Sequence, residues 1–207
     1  MNHKTLNREL TRVVLASVIL FIAGAAFAAD IKGQVLGGGA PIASSTVTLW
    51  AEGAAAPKQI AQTKTGDDGR FEIRVNESQG NAILYLVATG GNPKAHPGSG
   101  DNPAIALMTV VGSRPPTSVV VNEMTTIASV WTHAQFSDGT TIKGHALGLR
   151  IAAGNVPNFV DLSTGGWGEA IQDPLNSSQT PTMANFATLA DLLPGSRFLI
   201  DRNRLGF

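Results

Sequence analysis

Near residue 121 the hydrophobic period of the chain changes from two to between three and four, so two kinds of structure must be joined there. Before that point, Phe71-Glu72-Ile73-Arg74-Val75 alternates apolar and charged side chains, which puts Phe71, Ile73 and Val75 on one buried strand face. Thr46 to Trp50 also alternates, with Val47 and Leu49 on one face and Trp50 on the other. Ile83 to Ala88 is apolar on both parities, as expected of a central strand covered on both sides. Ile31–Val35, Gln59–Thr65, Ala104–Val111 and Ser118–Val121 complete the strand candidates. Turn signals separate them: Gly37-Gly38-Gly39, Gly66-Asp67-Asp68-Gly69, Gly90-Gly91-Asn92-Pro93 and Arg114-Pro115-Pro116. Short strands with regular turns predict a β-sandwich over 29–121.

Beyond the boundary, Asn122 is a helix N-cap, followed by Met124, Ile127, Ala128 and Trp131 at helical spacing, with the helix ending near Phe136–Gly139. That stripe predicts Trp131 in the core, leaving Trp50 and Trp167 as candidates for exposed contacts. A second helix is predicted over about Lys143–Ala153, and a third from Thr180-Pro181 to Leu193, stopped by Pro194. Asp161–Gln179 reads as a long loop. The predicted class is α+β: a β-sandwich, a small helical segment over 122–193, and a basic tail over 194–207 carrying Arg197, Arg202 and Arg204.

Residues 1–28 have the three parts of an export signal. Lys4, Arg8 and Arg12 outweigh Glu9, an uncharged stretch runs from Val13 to Ala26, and Ala26-Phe27-Ala28 offers small residues at −3 and −1. Cleavage there predicts a secreted or periplasmic chain with no stable membrane span, and a mature part that is slightly acidic. A domain of that size buries about 70% of its unfolded surface, enough for one core without disulfides. The lack of cysteine excludes disulfide frameworks, thiolate metal sites, Cys nucleophiles and a lipidated N-terminal cysteine. With 15 basic against 15 acidic residues there is no basic face for nucleic acid. Charged residues are 14% of the chain, against about 25% in an average protein. Residues 101–190 hold only nine of them, which points to a surface that docks against something.

Gly33-x-Val35, Ala40-Pro41-Ile42, Thr46-Val47-Thr48-Leu49 and Thr63-x-Thr65-Gly66-Asp67-Asp68-Gly69-Arg70-Phe71-x-Ile73 together resemble the carboxypeptidase regulatory-like domain. The resemblance implies a transthyretin-like β-sandwich and says almost nothing of a ligand. Ser44-Ser45 departs from it, standing where the family usually has Gly-Ala. The segments Tyr85–Gly91, Val121–Trp131, Asn158–Asp161 and Thr188–Leu193 look like the N-terminal region of certain large secreted bacterial proteins. In those, an NHL-type β-propeller often follows, sometimes of the streptogramin-lyase kind. No propeller repeats occur in this sequence, so that lyase chemistry does not carry over.

No constellation predicts catalysis, a metal site or a cofactor. His133 and Glu123 are ten residues apart, about 15 Å along one helix, too far to share a metal or a proton. His133 is therefore expected at the surface or at the helix end. His96 and His145 have no ligand spacing with it. Asp67-Asp68-Gly69 lacks the alternating oxygens of a calcium loop and reads as a turn. Ser99 beside His96 sits in a Gly/Pro loop, with nothing rigid to orient a nucleophile. Asn76-Glu77-Ser78 and Asn176-Ser177-Ser178 fit glycosylation sequons, relevant only in a eukaryotic secretory pathway. Thr125-Thr126 beside Asn122-Glu123 is the most notable polar group, and capping or packing against the sandwich accounts for it. The expected function is an exported, non-catalytic binding or assembly module of the cell envelope. Its partner would be a protein or glycan, met through loops such as 90–103 and 163–179. The alternative is the N-terminal remnant or subunit of a longer propeller protein, which the DNA beyond Phe207 would decide. A third, weaker expectation is a hydrolase using Ser99 or His96.

Overall fold

The computed structural model describes residues 29–75, 80–95, 98, 100–173, 175 and 182–201. The export signal over 1–28, His96, Ser99, both sequons, Arg202 and Arg204 lie outside the described residues, as does the side chain of Arg197.

Nine strands precede the first helix: β1 (Ala29–Gly37), β2 (Ala40–Ala43), β3 (Thr46–Ala51), β4 (Lys58–Lys64), β5 (Arg70–Val75), β6 (Leu84–Thr89), β7 (Asn92–Pro93), β8 (Ala106–Gly112) and β9 (Ser118–Val121). They form mostly antiparallel sheets, one ordered β5-β1-β2-β7 and one ordered β4-β3-β6-β8. β9 runs parallel to β1, with Val119 opposite Gly33. Gly33 is required there, since a Cβ would come within 2.4 Å of the Val119 carbonyl oxygen.

Burial follows the strand parity. In β5, Phe71, Ile73 and Val75 are buried while Arg70, Glu72 and Arg74 are exposed. These three join Ile31, Val35, Ile42, Val47, Leu49, Leu86 and Val121 in one hydrophobic cluster drawn from both sheets. β6 serves two clusters. Leu84, Leu86 and Ala88 face the first, whereas Tyr85 and Val87 face a second that also contains Met108, Val110, Val156 and Phe186. The double-parity run is therefore a strand covered on both sides.

The second cluster is roofed by helices α1 (Glu123–Thr132), α2 (Ala146–Phe159), α3 (Glu169–Gln172) and α4 (Thr182–Asp201), with a small hairpin, β10 (Ser137–Asp138) and β11 (Thr141–Ile142), between α1 and α2. The class is mixed α+β. Three sequence expectations change. α2 begins later and runs further than Lys143–Ala153, ending in a turn that contains Pro157. The long loop contains the short helix α3. α4 runs through Pro194 to Asp201, so part of the expected basic tail is helical. Proline removes one backbone donor, and a twenty-residue helix can lose that bond without ending. No helix among the described residues is long and apolar enough to cross a membrane.

Candidate functional site

Helix α1 begins on a capping box. The Asn122 side chain accepts from the Thr125 N–H at 2.9 Å, and the Thr125 hydroxyl accepts from the Asn122 N–H at 2.9 Å. Of the expected stripe, Ala128 is buried and Met124 and Ile127 pack against the second cluster, but the buried face also carries Thr125, Thr126 and Ser129. These hydroxyls meet β8, the last strand of its sheet, whose outer N–H groups need partners. Met108 N donates to Thr126 Oγ1 at 3.0 Å, and Val110 N donates to Ser129 Oγ at 2.9 Å. Thr109 Oγ1 donates to Thr125 Oγ1 at 2.7 Å. A helix thus completes a sheet edge with side-chain oxygens, a use of Thr125-Thr126 beyond capping. Glu123 accepts from the Gly38 N–H at 2.9 Å, which ties the Gly37–Gly39 turn to the start of α1.

At the other end of α1 one of two expected placements holds. His133 is its C-cap, but it is fully buried instead of lying at the surface. Its partner is Glu52, just past β3: His133 Nε2 lies 3.7 Å from Glu52 Oε1, and both side chains are 0% exposed. Sequence reasoning looked for a partner along the helix, at Glu123, and missed one 81 positions away on another element. Burial pushes the Glu52 carboxyl up to about 8 and pushes the His133 imidazole down.

The tryptophans also exchange roles. Trp131 is half-exposed at 50%, whereas Trp50 and Trp167 are partly buried and pack against the second cluster. The reason is α1's hydroxyl-lined inner face, which leaves Trp131 on the helix's outer side. Trp167 packs 5.7 Å from Phe186, which stacks on Phe159.

Trp167 also lines an open groove of about 1260 Å³ between the end of α2, the 161–173 segment and the β8–β9 turn. Three anchors hold its wall. Val120 N donates to Leu162 O at 2.8 Å, and Asn122 Nδ2 donates to Gly165 O at 2.9 Å. Gly168 passes close over α2's end, where a Cβ would meet the Pro157 carbonyl oxygen at 2.5 Å. Asp161, Glu169 and Asp173 bring carboxylates to the groove and Arg114 one guanidinium, with Asn158 and Gln172 supplying amides. Hydrogen bonds from the Ser163 hydroxyl and N–H hold the Asp161 carboxyl below the usual range. Among the described residues no group of three or more His, Cys, Asp or Glu side chains is placed to hold a metal. His145 caps α2, its Nδ1 accepting from the Gly148 N–H, and Asp68 accepts from the Arg70 N–H within its turn.

No family model and no curated protein matches the chain. A solved structure of a 9R-lipoxygenase from Cyanothece PCC8801 is similar over 45% of this chain and 15% of its own, at 16% identity and a TM-score of 0.32. A likeness that slight says nothing of the function of this chain.

Proposed function

We propose that this chain is an exported, non-catalytic binding module of the cell envelope, built on a transthyretin-like β-sandwich, which takes a neutral glycan chain in the groove beside Trp167. The mixed groove lining carries this reading. Carboxylates and amides from Asp161, Glu169, Asp173, Asn158 and Gln172 suit the hydroxyls of a sugar, while Trp167, Pro116 and Pro157 offer apolar surface to its C–H faces. The excess of carboxylates over Arg114 disfavours anionic ligands. The sandwich reading is supported by the shared cluster between the sheets and by Ser44, whose φ of 57° is a conformation glycine favours, where the resembling family has Gly.

The test is a screen of neutral oligosaccharides followed by calorimetry on the wild type and on Glu169→Ala and Asp173→Ala. Both side chains are exposed, so the fold should survive their loss. Binding that weakens about tenfold in each variant supports the reading. Wild-type inertness to every sugar tested would sink it. A protein partner is the second reading, favoured by exposed Val130, Trp131, Leu147, Ile151 and Leu192 on the helical layer. Cross-linking to an envelope protein through Trp131, in a chain that ignores sugars, would favour it.

A further inference from the structure

Glu52 and His133 sit in the fold in a way that neither the groove nor the core explains. Neither carboxyl oxygen of Glu52 has a hydrogen-bond partner, and neither does His133 Nε2. The opposite ring nitrogen settles the tautomer. Nδ1 lies 3.0 Å from the Ser129 carbonyl oxygen, which only accepts, so Nδ1 carries a hydrogen. Thr132, 2.9 Å from the same nitrogen, donates its own proton to the Ala128 carbonyl. Nε2 therefore turns a lone pair toward Glu52 across 3.7 Å, and a proton on the carboxyl leaves the pair without a buried charge.

We propose that Glu52 and His133 hold one proton between them, and that this proton fastens the end of α1 and the β10–β11 hairpin to the sheet, so that the attachment loosens above neutral pH. The elements around the pair are closely joined. Glu52 N donates to Ile83 O at 2.8 Å, and Gly144 N donates to Gly53 O at 3.1 Å. The Ser137 hydroxyl donates to the His133 carbonyl, and Ile142 N lies 3.4 Å from the Tyr85 hydroxyl oxygen, to which it donates. Tyr85 also faces the pair: burial pushes its hydroxyl up, the Ile142 N–H opposes that, and an ionised Glu52 would raise it further. The ionisable side chains on the neighbouring elements, Lys58 and Lys64 of β4 with Asp138, Lys143, His145 and Arg150, are exposed. Among the described residues, the ion-pair contact of Glu52 is the one to His133.

Counting protons gives the pH dependence. Unfolded, the two groups titrate near their ordinary values of 4.5 and 6.5, so between those values they hold one proton, on the histidine. Folded, they also hold one, and stability is level across that window. Above 6.5 the unfolded chain has lost its proton, while the folded chain keeps one until about pH 8. Stability falls across that interval. Below 4.5 the unfolded chain binds a second proton that the buried pair resists, and stability falls again.

Thermal melting of the full chain from pH 4.5 to 9 tests this, beside Glu52→Gln. The wild-type midpoint should be level to pH 6.5 and then drop by roughly 5 °C by pH 8.5. The glutamine keeps the shape of a protonated carboxyl without its titration. Its midpoint should be level above pH 6.5 and fall below it, as the unfolded histidine gains a proton that the buried one refuses. Identical profiles for the two proteins would overturn the proposal. Should the variant not fold, carbon and nitrogen NMR shifts of the wild-type Glu52 carboxyl and His133 ring count the protons directly. A total of one, beyond the hydrogen on Nδ1, from pH 5 to 7 supports the shared proton, and zero or two beyond it overturns it.

Discussion

The two ends of helix α1 are buried against the same sheet, yet they are fastened by opposite means. At the first, every hydroxyl has both a donor and an acceptor: Thr126 accepts from Met108 N and donates to Asn122 O, and Ser129 accepts from Val110 N and donates to Thr125 O. At the second, the Glu52 carboxyl and His133 Nε2 face one another and neither has a hydrogen-bond partner. Hydroxyls do not titrate in the physiological range, so the first end holds at any pH the chain meets. The second holds only while its proton is present. A polar interface can thus be permanent or conditional, and the difference lies in the groups chosen, not in the depth of burial.

Substitutions can break this contrast, and they differ in size. His133→Ala leaves a void beside the protonated Glu52 carboxyl and removes the Nδ1 hydrogen bond to the Ser129 carbonyl, and should cost about 3 kcal/mol by denaturant unfolding at pH 6, the largest single effect. Thr125→Val removes the acceptor for the Asn122 N–H and one of the two acceptors for the Thr109 hydroxyl, and Ser129→Ala leaves the Val110 N–H buried without its side-chain acceptor. Each should cost about 1–3 kcal/mol, by the same amount at pH 6 and at pH 8.5. Should the loss at Ser129 change with pH, the distinction between the two ends would be wrong. Asn122→Ala should cost about 1 kcal/mol and also free the Gly165 loop, seen as faster proteolysis of 161–166. Ser44→Gly should stabilise the chain by about 1 kcal/mol, because Ser44 sits at a φ of 57°. Lys32→Ala should change stability by less than about 0.5 kcal/mol, since its 3.8 Å contact with Glu72 is exposed on both sides.

Much of the sheet region was legible, because strand periodicity is local. The alternation in β5 and the double parity of β6 each state in six residues which faces are covered. The Asn122 cap was legible for the same reason. The inner face of α1 was not. Reading apolar spacing selects Met124, Ile127, Ala128 and Trp131; the first three do meet the second cluster, but the sheet edge demands oxygens, so Thr125, Thr126 and Ser129 go inside and Trp131 outside. Only knowledge that β8 ends its sheet supplies that demand. The Glu52–His133 pair was hidden by distance along the chain. Glu52 follows Trp50-Ala51 at a strand end, a place where a carboxylate ordinarily faces water. The groove was partly visible, since the loop expected to recognise a partner at 163–179 supplies one wall through Ser163, Trp167 and Glu169. The other wall comes from Val111, Arg114 and Pro116, which no spacing connects to it.

Native-state hydrogen exchange reads both ends of α1 in one sample. The amides of Met108 and Val110 report the hydroxyl-fastened edge, and those of Ile142 and Gly144 report the hairpin beside the pair. Between pH 6 and 8.5, corrected for the intrinsic exchange rate, protection should stay constant at the first two and fall at the second two. Protection that falls together at all four amides, or at none, would contradict a conditional fastening at one end of the helix.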